Sequence, residues 1–342
     1  MKTRIIAILA LAAIASLFHS CQKSEWLADG DYFFFTNDGA TMPVWVKGNI
    51  ESGVFILTTH GGPGGGTSGH EFPISQGFKL LEEKYACIYW DQRMSGMSQG
   101  DAKPEDLTID QHVEDLDQLV KLIEHKYNPQ SLFLLGHSWG GCLTGAYLGR
   151  NNHQQHFNGW IDLDGSIQDE FEAQAKKEWI FDRIDDFYDE NPEYYQYIID
   201  WYAENPNPVE NDWEPYVYAG SMNGYAYDWE KTQNESPTPY ADLVLGSPFS
   251  YAFYYAQYWD LMWLNGYDVT EDVSNISIPA MLLWGKEDGA VPASTAEFTY
   301  SFLATPEADK EIVLIEECAH APHFDTPDEF DVHMTHFIEK YK

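Results

Sequence analysis

One serine stands in a context that could make it a nucleophile. Ser138 lies in Gly136-His137-Ser138-Trp139-Gly140, which fits the pattern G-x-S-x-G and follows an apolar run. Glycines at both ends of such a pentapeptide let the chain turn sharply from a strand into a helix and hold the serine in a strained conformation. A serine hydroxyl attacks a carbonyl only when a base takes its proton and an acid orients that base. The pattern therefore predicts a nucleophilic serine with a histidine and an acid as partners.

Two aspartates are candidates for the acid. Asp288 lies four residues beyond the apolar run that ends at Trp284, and it would reach the site from the carboxyl end of a strand. Asp164 follows an earlier apolar run, at residues 160–163. Around a G-x-S-x-G turn the partners follow in the chain order serine, acid, histidine. We expect Asp288 to be the acid, with Asp164 as the alternative.

Two histidines are candidates for the base. His320 and His323 both follow the last predicted strand, and their types and positions alone do not separate them. A histidine pair three residues apart can also bind a metal, but the sequence has no H-E-x-x-H run and no cysteine pair to complete such a site. We therefore predict no metal.

A glycine-rich run at residues 60–64 supplies candidates for an oxyanion hole. A tetrahedral intermediate needs two backbone N–H donors, and the residue after the nucleophile, Trp139, would provide one. Gly61 or Gly62 would provide the other, because a residue without a side chain lets the backbone approach the substrate. A glycine-rich loop can instead hold phosphate, but the sequence lacks G-x-x-x-x-G-K-[ST]. We predict no cofactor.

Alternating strands and helices must position these residues. Apolar runs predict strands at residues 54–57, 86–90, 132–135, 160–163, 280–284 and 312–315. Helical periodicity marks residues 108–126 and 293–304, a last helix begins near Pro327, and residues 31–50 read as a β-hairpin. Continuous apolar strands separated by helices predict an α/β fold with a mostly parallel, doubly wound sheet, built from residues 25–168 and 270–342.

The stretch between these two segments, residues 169–269, differs from them in composition and pattern. Residues 171–263 hold 25 of the 53 aromatic residues, and residues 191–230 hold eight acids without a lysine or arginine. No strand–helix alternation is visible there. We expect an inserted helical cap over the carboxyl ends of the strands, where α/β folds place their sites. The alternative is an insertion with a purely structural role, whose aromatic residues pack against each other.

The N-terminus predicts export. A basic start precedes an apolar run at residues 5–18, which is too short to span a bilayer and has the length of a signal-peptide core. Ser20-Cys21 at its end resembles a bacterial lipobox, which implies a lipoprotein signal peptide at residues 1–20 and lipid on Cys21. The chain would then be anchored to a cell-envelope membrane, on its periplasmic or outer-surface face. The alternative is an ordinary cleaved signal peptide, in which Cys21 carries no lipid.

Charge excludes several partners. The chain has 342 residues and a formal net charge of −36, with 55 acids against 19 bases. Such a field repels phosphate backbones and anionic membrane surfaces, so we expect no nucleic acid partner and membrane contact only through the lipid. The four cysteines are too few for a disulfide framework in a chain of this size.

Three motifs carry a resemblance to a known family. HGGPG at residues 60–64, DQRMSGMS at residues 91–98 and GHSWGG at residues 136–141 resemble the α/β-hydrolase superfamily, and most of all its proline-iminopeptidase branch of serine peptidases. The likeness covers residues 30–165 and 275–340. In that family the catalytic histidine stands seven residues before the proline that opens the last helix. The resemblance therefore implies His320 as the base, with Ser138 and Asp288.

The resemblance also implies an activity. Relatives of this type remove the N-terminal residue of a peptide through an acyl-enzyme, and glutamates hold the free amine. One such glutamate directly follows the catalytic aspartate, where this chain has Gly289, and the matching cap position is Gln257. We therefore expect a small-molecule or short-peptide substrate, with an esterase or lactonase as the alternative to an aminopeptidase. A binding protein without turnover is a minor alternative.

Overall fold

A mixed sheet forms the centre of the molecule. The structure, a computed structural model, describes residues 30–63, 72–207, 214–228 and 266–342. In these ranges nine strands form one sheet: β1 (Asp31–Asn37), β2 (Ala40–Gly48), β3 (Val54–Thr59), β4 (Ala86–Trp90), β5 (Gln99–Gly100), β6 (Ser131–His137), β7 (Gly159–Leu163), β8 (Ala280–Gly285) and β9 (Lys310–Ile315). The strand order is β1-β2-β4-β3-β6-β7-β8-β9, and β5 pairs with β2.

The sheet is parallel from β4 to β9 and antiparallel at its β1 edge. The pairs β4–β3, β3–β6, β6–β7, β7–β8 and β8–β9 are all parallel, whereas β1–β2 and β2–β4 are antiparallel. Parallel neighbours end at the same edge of a sheet, so the loops after β3, β6, β7, β8 and β9 gather there. Every predicted site residue except Cys21 lies in or beside these loops.

Helices cover both faces of the sheet. They are α1 (Gln76–Glu82), α2 (Ile109–Tyr127), α3 (Trp139–Gly149), α4 (Asp169–Phe187), α5 (Pro192–Glu204), α6 (Glu214–Ser221), α7 (Thr270–Val273), α8 (Ser294–Phe302), α9 (Pro322–Asp325) and α10 (Pro327–Tyr341). Successive residues of β3 face opposite sides of the sheet. Leu57 belongs to the apolar cluster that includes residues of α2 and α3, and Ile56 belongs to the cluster that includes residues of α1 and α10. The predicted doubly wound α/β sheet is confirmed.

The hairpin at the β1 edge closes as its sequence predicts. Asp38 and Gly39 connect β1 to β2 and both have positive φ, 36° and 79°. A two-residue turn with this handedness matches the twist of the flanking strands and favours Asp-Gly. The register places Asn37 opposite Ala40, so the pairing begins directly at the turn.

Between β7 and β8 the described residues are helical. Helices α4, α5 and α6 enclose an apolar cluster of their own, separate from the two clusters on the faces of the sheet. Its largest members are aromatic: Trp179, Tyr195, Tyr202 and Tyr218. Residues 208–213 and 229–265 of the predicted cap lie outside the described residues. The aromatic residues of α4 to α6 thus pack against each other, and Trp179 also reaches the site described below.

Candidate active site

Ser138 lies at a strained turn between β6 and α3. Its φ of 55° and ψ of −123° are unusual for a residue with a side chain, and such a conformation costs about 1–3 kcal/mol. The two flanking glycines make the turn possible. A Cβ on Gly140 would collide with the backbone of Thr59 in β3, and one on Gly136 would collide with the carbonyl of Gly140. The sequence therefore builds a tight strand–turn–helix with a serine at its tip.

A histidine and an aspartate pair beside this turn. His320 Nδ1 donates to Asp288 Oδ2 over 2.8 Å, and Asp288 Oδ1 accepts from the N–H groups of Ala290 at 2.8 Å and Val291 at 2.9 Å. Asp288 is fully buried in the loop after β8, and His320 follows β9. Because Nδ1 carries the proton in this bond, Nε2 of a neutral His320 has a lone pair available as a base.

His137 connects this pair to the serine turn. His137 Nε2 donates to the carbonyl of His320 over 2.9 Å, and the two imidazole centroids lie 4.9 Å apart. Since His137 directly precedes Ser138, the bond holds the His320 loop against the turn. This contact could not be predicted from the sequence, because the first x of G-x-S-x-G, where His137 stands, carries no residue preference of its own.

His323 takes no part in the pair. Its ring lies among Phe72, Phe78 and Phe330, with centroid distances of 5.4, 5.6 and 6.0 Å. Neither of its ring nitrogens has a hydrogen-bond partner within the described part of the chain. Burial holds the pKa of His323 well below its usual range, so the ring is neutral. The geometry separates two histidines that their residue types alone left equivalent.

The glycine-rich loop after β3 lies against Ser138. A Cβ built on Gly61 would stand 3.0 Å from Cβ of Ser138, so a side chain there would crowd the serine. Gly62 follows at the same turn, and residues 64–71 lie outside the described residues. Trp139 begins α3, so its backbone lies at the N-terminus of that helix, directly after the serine.

His60 and Gln92 fix the position of this loop. His60 Nδ1 donates to the carbonyl of Gly61 over 2.7 Å, and its Nε2 accepts from the Gln92 N–H over 3.0 Å. The Gln92 side chain donates to the His60 carbonyl and accepts from the Trp139 indole N–H. Burial lowers the pKa of His60 to about 4, so the ring stays neutral at pH 7. Neither side chain was predicted to have this role.

Asp164, the alternative acid, is also buried beside the pair. It follows β7, has a φ of 48°, and accepts from the Gly285 N–H over 2.9 Å through Oδ1. The charge of Asp288 raises the pKa of Asp164, so the two carboxyl groups lie close together. The imidazole of His320 bonds to Asp288 and not to Asp164, so the geometry favours Asp288 of the two candidates.

The residue after Asp288 faces the cap. A Cβ on Gly289 would stand 2.8 Å from the indole of Trp179 in α4, so the indole fills the space that a side chain there would need. Arg183, one turn further along α4, lies 4.1 Å from the Trp179 ring and forms an ion pair with Glu287. The carboxylate next to Asp288 is therefore bound to a guanidinium. Gln257 lies outside the described residues.

A cap segment following α6 contacts the His320 loop. The Tyr225 ring meets the imidazole of His320 edge to face, with centroids 5.8 Å apart. The Gly289 N–H donates to the carbonyl of Gly224 over 2.9 Å. Asp325 Oδ2 accepts from the N–H groups of Tyr227 at 3.0 Å and Ala319 at 2.9 Å. Part of the insertion thus forms one wall of the site.

The motif at residues 91–98 is structural. Arg93 and Asp115 form a fully buried, two-pronged ion pair at 2.6 and 2.7 Å. Met94 has a φ of 52°, a left-handed conformation that favours glycine. Within the described ranges, no group of three or more histidine, cysteine, aspartate or glutamate residues is arranged to hold a metal, and no helix is long and apolar enough to cross a membrane.

Comparisons with known proteins agree with this geometry. The chain is 24% identical over 318 residues to a proline iminopeptidase of Saccharolobus solfataricus, covering 86% of this chain and 87% of that protein. It is 23% identical over 290 residues to the probable aminopeptidase YbaC of Bacillus subtilis, covering 80% and 86%. The crystal structure of a membrane phospholipase A, described as a bacterial virulence factor, superposes with a TM-score of 0.66 at 18% identity, covering 100% of this chain and 99% of the other.

The family itself is shown by a match that covers most of the chain. The family described as the alpha/beta hydrolase fold matches residues 55–327, a range that begins in β3 and ends where α10 starts. That range contains the strained serine turn, both buried aspartates and the His320 loop. The expected hydrolase class is thereby confirmed, and the chain belongs to the alpha/beta hydrolase family.

Proposed function

We propose that the protein is a serine hydrolase that uses Ser138, His320 and Asp288 as a catalytic triad. The observation that carries this proposal is the 2.8 Å hydrogen bond from His320 Nδ1 to Asp288. A second hydrogen bond, from His137 to the backbone carbonyl of His320, holds the His320 loop beside the serine turn. A histidine oriented by a buried carboxylate, next to a serine in a strained turn, is the arrangement that activates a hydroxyl.

The reaction then follows from the positions of these groups. Nε2 of His320 takes the proton of Ser138 as its Oγ attacks the substrate carbonyl carbon, and Asp288 stabilises the resulting imidazolium. The N–H of Trp139 and that of Gly61 or Gly62 receive the oxyanion. His320 returns the proton to the leaving group, which departs and leaves an acyl group on Ser138. Water, deprotonated by His320, releases the acid by the same route.

For the substrate, we propose a peptide or amino-acid derivative with a free amine. Two curated relatives that align over most of the chain are named as a proline iminopeptidase and a probable aminopeptidase. The excess of carboxylates and aromatic rings in the insertion would suit a cation, because both attract positive charge.

One observation favours a second candidate, an esterase or lactonase. The space beside Gly289 is filled by the indole of Trp179, and the neighbouring Glu287 is paired with Arg183. Among the described residues, the carboxylate of Glu287, next to Asp288 in the chain, is therefore already paired with a guanidinium. An ester without a charged group does not need a free carboxylate.

Matched substrates distinguish the two candidates. We suggest chromogenic aminoacyl amides with a free amine, their N-acetylated counterparts, and simple short-chain esters, each with wild type and Ser138→Ala. An aminopeptidase turns over the free amines and loses most of its kcat/KM on acetylation. Equal turnover of free and acetylated substrates, or turnover of esters alone, would establish the second candidate. A lack of turnover and of serine labelling would leave a binding protein.

We also propose export as a lipoprotein. The support is the sequence at residues 5–21, which ends the apolar run with Ser20-Cys21, a segment outside the described residues. Expression in a bacterial host with radiolabelled palmitate tests this directly. Wild type should incorporate label and Cys21→Ser should not. Equal fractionation of the two proteins as soluble, unlabelled species would favour an ordinary signal peptide.

A further inference from the structure

Two buried carboxyl groups meet behind the imidazole of His320. Asp164 and Asp288 follow neighbouring parallel strands, β7 and β8, in which Leu163 pairs with Leu283. Both side chains are completely shielded from solvent. Asp164 Oδ1 accepts from the N–H of Gly285 in the strand that leads to Asp288, and the two carboxyl groups lie close enough for the charge of Asp288 to raise the pKa of Asp164. Two ionised carboxylates are unfavourable so close together, because neither has a hydrogen to donate and their charges repel.

The other hydrogen bonds identify the ionised partner. Asp288 accepts three N–H donors: those of Ala290 and Val291 on Oδ1 and that of His320 on Oδ2. Asp164 accepts one, from Gly285, on Oδ1. Donors stabilise the charged form of a carboxyl group, so the negative charge belongs on Asp288.

The remaining oxygen identifies the site of the proton. Asp164 Oδ2 is buried, and within the described part of the chain no donor reaches it. A buried carboxylate oxygen without a donor is costly, whereas a protonated oxygen can itself donate to Asp288. Burial raises the pKa of both carboxyl groups, and the neighbouring charge of Asp288 raises that of Asp164 further. The N–H groups of Val291 and Ala290, by contrast, lower the pKa of Asp288.

We propose that Asp164 is a positioning residue that stays protonated at neutral pH and donates a hydrogen bond from Oδ2 to the carboxylate of Asp288. The proposal rests on the proposed function, in which Asp288 is the acid of the triad. The pair then carries one negative charge in total. The bond fills the last acceptor site of Asp288 and fixes the plane in which its carboxylate meets His320.

The groups that surround the pair are consistent with a single charge. His137 from the serine turn and His320 face it from the other strand ends, and Cys318 contributes a neutral thiol, because burial and the acids around it raise the pKa of that thiol. Among the described residues, the hydrogen bonds given to the two aspartates come from backbone N–H groups and one imidazole. A second negative charge on the pair would therefore gain no further donor from these contacts.

Infrared spectroscopy tests the proton without reference to activity. The C=O stretch of a protonated carboxyl group is separate from that of a carboxylate, and it shifts in D₂O. Asp164→Asn should remove one such band from the spectrum of the wild-type protein at pH 7. Asp162→Asn is the matched control, because Asp162 is another buried aspartate with a raised pKa. This variant should lose a different C=O band and keep the band assigned to Asp164. An unchanged spectrum in Asp164→Asn would overturn the proposal.

Kinetics test whether the donor matters. Asparagine tolerates the positive φ of Asp164, can accept from Gly285 and can donate to Asp288, so Asp164→Asn should keep kcat within about threefold. Asp164→Gly also suits the backbone but has no donor. It should lower kcat about 10- to 100-fold with little change in KM, the loss expected for a hydrogen bond to a charged group. Equal losses in both variants would contradict a role as donor.

The pH profile separates this role from a purely structural one. If the pair carries one charge, Asp164→Asn leaves the acid limb of kcat/KM where it is in wild type. If Asp164 were ionised, its loss would move the midpoint down by about 1–3 pH units, because an anion near a histidine favours the imidazolium. If the proposed function is wrong, wild type and all variants will be inactive in these assays. The infrared measurement does not depend on activity, so it would still test the proton on Asp164.

Discussion

At the scale of single residues, the site combines a strained serine with partners that are fixed in advance. The backbone of Ser138 is held at φ 55°, and neutral hydrogen bonds through His60 and Gln92 hold the loop that approaches it. Donors fixed before the substrate arrives need no reorganisation in the transition state.

Asp288→Asn should preserve the fold and abolish most of the activity. An amide oxygen can still accept from Ala290 and Val291, but its NH₂ group would face the proton on Nδ1 of His320. The imidazole then loses its orientation and its counter-charge, and we expect kcat to fall about 10³-fold or more. Steady-state kinetics and circular dichroism measure both effects. Unchanged activity would transfer the role of the acid to Asp164.

His323→Phe should leave kcat within a fewfold of wild type and stabilise the fold. The ring lies among phenylalanines, and removing its unpaired nitrogens should gain about 1 kcal/mol. Because the folded state holds the pKa of His323 below that of the unfolded chain, protons bind the unfolded state preferentially and stability falls as the pH drops below about 6.5.

Urea titrations at several pH values measure this difference. The variant should lose less stability than wild type between pH 7 and pH 5. His320→Ala is the contrasting control, because it should lower kcat about 10³-fold or more. If His323→Phe proved as inactive as His320→Ala, the assignment of the base would be wrong.

At the scale of elements, helix α4 and the segment after α6 pack against the loops that carry Asp288 and His320. Helix α4 places Trp179 against Gly289 and Arg183 against Glu287, so the loop that carries Asp288 is packed under the cap. The segment after α6 adds the contact between Tyr225 and His320. Helix α4 is therefore packed against the loop of Asp288, and we expect changes in α4 to affect the candidate site.

Two glycine substitutions test this attachment. Gly289→Ala should destabilise the protein by about 1–3 kcal/mol, because its Cβ would lie 2.8 Å from the Trp179 ring and force a shift. Gly220→Ala is the control: it lies exposed in α6, its Cβ would have ordinary contacts from 3.4 Å, and alanine favours a helix there. Thermal denaturation compares them. Equal melting temperatures in wild type and Gly289→Ala would contradict the close approach.

Most elements could be predicted from their patterns, and the contacts between them could not. The buried strands β4 and β7 coincide with apolar runs to within one residue, because both faces of these strands are covered. The two-residue β5 and the short α1 have no such signal and were not predicted. The contact of Asp164 with Asp288 depends on β7 and β8 being neighbours in the sheet, which the chain order alone did not establish, so the two appeared as alternatives.

At the scale of the whole molecule, charge is the dominant feature. Acids exceed bases by 55 to 19, so most carboxylates have no cationic partner, and their mutual repulsion opposes the compact state. Raising NaCl from about 10 mM to about 200 mM shortens the screening length from about 30 Å to below 10 Å. We expect the melting temperature to rise by a few degrees over this range. A fall would mean that surface ion pairs outweigh the repulsion.

The most direct test of the catalytic assignment is covalent labelling of the serine. A fluorophosphonate reacts only with a serine whose hydroxyl is activated, and intact-mass spectrometry counts the adducts. We expect one adduct on wild type, located at Ser138 by peptide mapping, none on Ser138→Ala, and strongly slowed labelling of His320→Ala. Labelling of Ser138→Ala at the wild-type rate, or no labelling of folded wild type, would contradict the proposed triad.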